Sequence, residues 1–156
     1  MTARNPARTS GARQAPGTTA RQARADLPTV EAETRPYWEA AAEGRLLIAR
    51  CGDCGAVHHY PRVMCPGCWS ESITAVEALG TGTVYTYSTV HVNDLPPFKE
   101  RLPYVAALVE LTEGPRVMTN IVDCAPEDVS IGMPVRAVFE AIDEGVHAVY
   151  FRPTGP

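Results

Sequence analysis

Four of the five cysteines fall into two pairs, Cys51-Gly-Asp-Cys54 and Cys65-Pro-Gly-Cys68, with ten residues between them. A turn within each pair can aim two thiolates at one metal. Four thiolates in a tetrahedron suit zinc, with iron in a rubredoxin-like site as the other metal for such a set. Disulfides are disfavoured in a cytosolic chain. Gly52, Gly55 and Gly67 are expected to relieve backbone crowding in the turns. A catalytic zinc keeps one coordination position open, and four cysteines leave none. The expected role is therefore structural: zinc on Cys51, Cys54, Cys65 and Cys68 holding a ribbon together.

The remaining candidates for chemistry are isolated. Cys124 has no paired cysteine and no adjacent histidine, so it reads as a packed thiol at a strand end. His58 and His59 sit beside a metal shell already complete and read as surface or ribbon residues. His91, Asn93 and Asp94 group at the end of a strand, either as a polar site or as an Asx turn. His147 reads as an ordinary strand residue. There is no nucleophile elbow, phosphate-binding loop or HExxH motif. The Gly-rich GTGTVY at 80–85 leads into a strand, so it is a barrel bend rather than a dinucleotide fingerprint. No residue is assigned a catalytic role.

The 156 residues carry a net charge of -4, unevenly spread. Residues 1–25 hold five arginines and no acid, which leaves the remainder at -9. An acidic body is a poor nucleic-acid surface, because phosphate binding is driven by Lys and Arg. No apolar run approaches the roughly 18 residues of a spanning helix, and no secretory apolar segment opens the chain. A cytoplasmic protein that binds neither membrane nor nucleic acid is expected. Its hydrophobic fraction of 45% is enough for a core.

The elements that must position these residues follow from local pattern. Residues 1–33 read as a disordered basic arm. Thr34 is placed to cap a short helix over 34–44, with Pro36 in its first turn and Gly44 at its end. Tyr37, Trp38 and Ala41 share one face of it. That face packs on its own domain or docks on a partner, since Trp and Tyr favour interfaces. A zinc ribbon is expected over 45–72, with RLLIAR leading as a strand into Cys51. An alternating run begins at Ile73, and long strands follow over Thr83–His91, Tyr104–Leu111, Arg116–Val122, the VRAVFEAI segment and VHAVYFRP. Glu113-Gly114 and Asp143-Glu144-Gly145 mark hairpin turns. The fold class is mainly β, with residues 73–156 suggesting a five-stranded barrel of the oligonucleotide/oligosaccharide-binding (OB) type, which periodicity alone does not distinguish from a small sandwich. The loop Val92–Leu102 exceeds a minimal hairpin and contains Phe98, Lys99 and Arg101.

YWEAAAEGRLLIARC, the two cysteine pairs and GTGTVYTYSTVH, in that order, resemble the DUF35 family. PPFKERLPYVAALVELTEGPRV, GMPVRAVFE and VYFRP extend the resemblance over about residues 34–154. It implies a rubredoxin-like zinc ribbon followed by an OB fold, with the four paired cysteines as zinc ligands. It also implies a non-catalytic subunit of a hetero-oligomer acting on acyl-CoA thioesters. The partner is a thiolase-like or lipid-transfer-protein-like catalytic chain that performs aldol cleavage, aldol addition or acyl transfer. This subunit then stabilises the complex and helps form the CoA channel. Tyr37, Trp38 and Phe98 become candidates for the partner interface, and Arg45, Arg62, Lys99 and Arg101 for the CoA phosphates by charge alone. The alternatives are a stand-alone acyl-CoA binder, a partner of a MaoC-like hydratase, and a nucleic-acid-binding ribbon and OB module.

Overall fold

Helix α1 spans Arg35–Ala42 and ends where the sequence pattern places its end. Gly44 adopts φ +78, its N–H bonds to the Ala41 carbonyl at 3.0 Å, and the Arg45 N–H reaches the Ala40 carbonyl at 2.8 Å. These two bonds form a Schellman motif, which needs a left-handed residue at that point. The start of the helix differs from expectation. The Thr34 hydroxyl makes no cap bond. It accepts from the Glu31 N–H at 3.2 Å and donates to the Glu31 carbonyl, so the preceding turn consumes it. These observations come from a computed structural model, which describes Arg24 and residues 26–155.

Three strands form the ribbon sheet in the order β2-β1-β3, with β1 at Leu47–Cys51, β2 at Val57–His58 and β3 at Ile73–Glu77. All five residues of β3 pair antiparallel with β1. The ribbon therefore runs through Glu77, past the expected boundary at 72–73. Backbone pairing claims β3 for the ribbon, although its alternation alone suits a barrel strand equally well.

The barrel closes in the order β4-β5-β6-β8-β7. Its strands are β4 (Thr81–Val90), β5 (Tyr104–Leu111), β6 (Arg116–Ile121), β7 (Pro134–Asp143) and β8 (Val146–Pro153). The five-stranded OB-type barrel is thus observed. β5 shows the period of two most clearly: Val105, Ala107, Val109 and Leu111 point inward and their neighbours outward. Val84, Val117, Val135 and Phe151 complete the barrel core, and Tyr37, Leu46 and Ile48 join it from the helix and ribbon. Gly82 sits where β4 pairs with both β5 and β7. A Cβ there would meet the Glu110 carbonyl oxygen at 2.3 Å, so closure at this seam requires glycine.

Backbone bonds extend each sheet toward the 78–80 link, the first on the ribbon side and the next two within the barrel. The Ala78 N–H donates to Leu46, the Ala137 N–H to Gly80 and the Thr112 N–H to Thr81. The Leu79 N–H donates to Glu113 Oε1 at 2.7 Å, a charge-assisted bond across the junction. Glu113→Ala is expected to cost about 1 kcal/mol. The denaturant midpoint should fall with an unchanged m-value; an unaltered midpoint would remove this stitch from the account.

Two elements lie outside the sequence expectation. Phe98–Arg101 forms a 3-10 turn inside the long β4–β5 loop. The described part of the arm lies against the barrel, with Arg24 Nη1 donating to the Ile142 carbonyl at 2.6 Å. The rest of the expected disordered arm, residues 1–23 and Ala25, lies outside the described residues. Among the described residues no helix is long and apolar enough to cross a membrane.

Candidate functional site

The two cysteine turns are built alike. In the first, the Gly55 N–H bonds to the Cys51 carbonyl at 3.0 Å; in the second, the Trp69 N–H bonds to the Cys65 carbonyl at 3.0 Å. The fifth residue of each turn has positive φ, +72 at Gly55 and +64 at Trp69. Gly55 serves as the sequence pattern requires. Gly52 serves for another reason: a Cβ there would meet Ser72 Oγ at 2.5 Å. Gly67 has neither constraint; its N–H points at Cys65 Sγ at 3.4 Å. The second left-handed position falls to Trp69, which is left 73% exposed.

The four sulfurs lie within 4.8 Å of one another, with Cys51–Cys68 and Cys54–Cys65 both at 3.6 Å. A zinc tetrahedron with bonds of about 2.3 Å has edges of about 3.8 Å, so the set fits the metal. The electrostatics fit as well. The Cys54 N–H helps draw the Cys51 thiol down to about 6. The Ser70 N–H favours a thiolate at Cys68, but the neighbouring sulfurs, Cys54 first, outweigh it and push that thiol up to about 12. Four thiolates at this spacing need a cation between them. This is a structural four-cysteine zinc site. When bound, the zinc cross-links the end of β1 to the second turn and offers no open position to a substrate.

Between the two turns the chain passes through His58, His59 and Tyr60; the fold draws the two histidines inward and leaves Tyr60 exposed. His58 Nδ1 lies 3.0 Å from the Tyr60 carbonyl oxygen. The His59 ring stacks on Tyr60 at 3.9 Å and meets Tyr37 edge-on at 5.5 Å. Burial, aided by the charge of His58, pushes His59 down to about 4, so it packs as a neutral ring. Neither histidine is a surface group, in contrast to one of the two expectations for them.

Tyr60 leads into a groove of about 530 Å³ across the outer face of the barrel. Trp38 and Tyr37 of α1, Phe98 of the long loop, and Tyr104, Met118 and Tyr150 of the strands border it. The structure thus brings together the three aromatic residues that the sequence singles out, but not as equals. Tyr37 is 4% exposed and belongs to the core, and its burial raises its phenol well above the usual range. Trp38 and Phe98 are half-buried and face solvent. Sequence reasoning missed Tyr60, Tyr104, Met118 and Tyr150. The period-two alternation carried a signal: Tyr104, Met118 and Tyr150 occupy outward positions of β5, β6 and β8.

The four basic candidates are not gathered into one site. Arg45 pairs with Glu43 and Glu77 at the ribbon–barrel junction. Arg62 borders a second groove of about 720 Å³, alongside Pro36, Leu47, Met64 and Ile73. Lys99 and Arg101 share the 3-10 turn. Arg101 borders a cavity of about 340 Å³ beside the aromatic groove and donates to the Tyr150 hydroxyl at 2.8 Å. The group at His91 resolves as an Asx turn: Asn93 Oδ1 accepts from the Leu95 N–H at 3.1 Å, and Nδ2 donates to the Tyr104 hydroxyl. Cys124 is partly buried, and desolvation followed by Asp128 and Asp123 raises its thiol.

Comparison with known proteins covers both halves of this architecture. The family described as "ChsH2, rubredoxin-like zinc ribbon domain" matches residues 38–74, and "ChsH2, C-terminal OB-fold domain" matches residues 75–140. A DUF35 domain-containing scaffold protein of Methanocaldococcus jannaschii is 46% identical over 109 residues, 69% of this chain and 77% of the relative. A probable enoyl-CoA hydratase alpha subunit of Thermomonospora curvata is 43% identical over 129 residues, 83% of this chain. This chain spans 40% of that relative's length. Among solved structures, a chain of an Ltp2-ChsH2(DUF35) aldolase is 42% identical with a TM-score of 0.74, covering 83% of this chain and all of the other.

Proposed function

The chain belongs to the DUF35 family, and from that premise we propose that it is a non-catalytic subunit of an enzyme complex acting on acyl-CoA thioesters. A thiolase-like chain carries the nucleophile and performs aldol cleavage or a related carbon–carbon bond reaction. The observation that carries this reading is the 42% identity to the whole of a chain from an aldolase complex. The closed cysteine shell supports a scaffold role for the metal, because it leaves no position for a reacting oxygen.

In this reading the ribbon and barrel act as one unit, and the aromatic groove is the working surface. Zinc holds the second turn against β1 and so fixes the intervening Tyr60, which forms one wall of the groove. Trp38 and Phe98 offer half-buried rings to the partner or to the acyl part of the substrate. Aromatic rings at an interface contribute large contact area at low entropy cost. Arg101 is the basic candidate best placed to meet a CoA phosphate, and Arg45 the worst, since two acids already hold it.

A hydratase partner is the second reading, supported by the 43% identity to a hydratase alpha subunit. Native co-purification tests both. The tagged chain should recover a stoichiometric thiolase-like protein, identified by mass spectrometry. Removing this chain should abolish the activity of that protein. Recovery of a hydratase-fold chain instead would establish the second reading, and recovery of no acyl-CoA-acting partner would overturn both.

A further inference from the structure

The segment that enters α1 crosses the aromatic groove before it reaches the helix. Asp26, Leu27 and Pro28 all border that groove. The Asp26 carboxylate is 6% exposed and is held by two arginines from different parts of the chain. Arg24 grips it with two bonds, Nε to Oδ1 at 3.0 Å and Nη2 to Oδ2 at 2.7 Å. Arg101 Nη2 lies 3.9 Å from Oδ2 on the other side. Arg24 is in turn anchored to the Ile142 carbonyl of β7, and Arg101 to the Tyr150 hydroxyl of β8.

A carboxylate between two guanidinium groups occupies the kind of seat that a phosphate oxygen takes. The seat meets a groove lined by aromatic rings, which Asp26 borders, and the adjoining cavity, which Arg101 borders. It thus joins an anion-binding end to an apolar body, the two parts that an acyl-CoA presents. We propose that Asp26 is an internal stand-in for a phosphate group of the ligand, so that the 26–28 segment is a strap that coenzyme A must displace to engage Arg101. This rests on the acyl-CoA reading above and adds its regulation. One observation favours a displaceable strap over a fixed structural element. The Asp26–Arg101 contact is longer than a hydrogen bond, so this arginine is only partly satisfied. The Arg24 bonds also hold the Asp26 carboxyl below its usual range, keeping the stand-in charged.

The full chain is titrated with coenzyme A by calorimetry, as wild type and as Asp26→Asn. The substitution keeps the shape of the side chain and removes the competing charge. Affinity should rise about 5-fold, because a closed strap lowers apparent affinity by the fraction of open molecules. Arg101→Gln added to Asp26→Asn should remove the gain. Glu110→Gln controls for net charge, since neither Glu110 nor its partner Arg116 lines the groove, and it should leave affinity unchanged. Trypsin cleavage after Arg24 should accelerate when coenzyme A is added to the wild type, a readout that needs no variant. Equal affinities of wild type and Asp26→Asn, a gain that survives without Arg101, or a matching gain in Glu110→Gln would each overturn the proposal. Co-purification of the partner is scored separately in wild type and Asp26→Asn. The accessory-subunit reading can therefore fail while the strap stands, and the reverse.

Discussion

Cys65→Ser is expected to leave the purified chain without zinc and without a folded ribbon. Cys65 is fully buried, and its sulfur lies 3.6 Å from that of Cys54. A serine hydroxyl stays protonated and is a poor replacement for a thiolate. The remaining three sulfurs then lose most of their affinity. Structural zinc in small ribbons is worth about 10–16 kcal/mol of folding free energy at neutral pH. A whole domain is stable by only about 5–15 kcal/mol, so the loss is not absorbed. The damage should spread beyond the ribbon, because Leu46 and Ile48 share one core with Tyr37 and the barrel. Metal analysis should fall from about one zinc per chain to nearly none, and amide signals of residues 45–77 should lose their dispersion. Chelation of the wild type should reproduce the effect. A Cys65→Ser chain that keeps its zinc and its ribbon signals would refute the four-cysteine assignment.

Phe151→Ala is the second large effect, and it strikes the barrel. Phe151 has no exposed surface and is the largest fully buried side chain among the described residues. It sits at the seam where β6 and β8 meet in parallel, opposite Ile121, and its carbonyl accepts the Val122 N–H at 2.8 Å. Parallel pairing there amounts to a single register position, so packing rather than a long ladder holds the closure. Truncating a buried phenylalanine costs about 3–5 kcal/mol, the sum of lost transfer energy and the cavity left behind. In a chain of ordinary stability that is a large share of the total. The urea midpoint should fall steeply at constant m-value, and the zinc content should stay near that of the wild type. A loss below about 1 kcal/mol would show that the seam collapses around the gap.

The two variants separate the two kinds of information in the sequence. Metal spacing is local: each pair spans four residues, and a tight turn suffices to aim both sulfurs. Strand alternation is local too, which is why β5 and β8 appear over Tyr104–Leu111 and Val146–Pro153 in both readings. The Schellman end of α1 needs only Gly44 at one position. Where reading failed, a distant partner intervened. Thr34 has the chemistry of a cap, but the turn at Glu31 takes its hydroxyl. The strand at Ile73–Glu77 has barrel-like alternation, but β1 lies beside it and claims it for the ribbon. β2 is only two residues long and has no visible pattern of its own. His58 and His59 resemble surface groups until Tyr37 and Tyr60 close around the His59 ring.

The sequence by itself determined the metal chemistry, the strand content and the family, since each depends on residue type at short spacing. Only the tertiary structure decided the groove. Tyr60, Trp38, Phe98, Tyr104 and Tyr150 come from five separate segments, and none of their spacings encodes a shared surface. Their meeting depends on which strands become neighbours when the barrel closes and on where zinc holds the second turn. The same holds for Asp26 and Arg101, which lie 75 positions apart in the chain. Their contact exists because the entering segment crosses the same barrel face that the β4–β5 loop overhangs. Neighbourhood of this kind is a property of closure, and no local period records it.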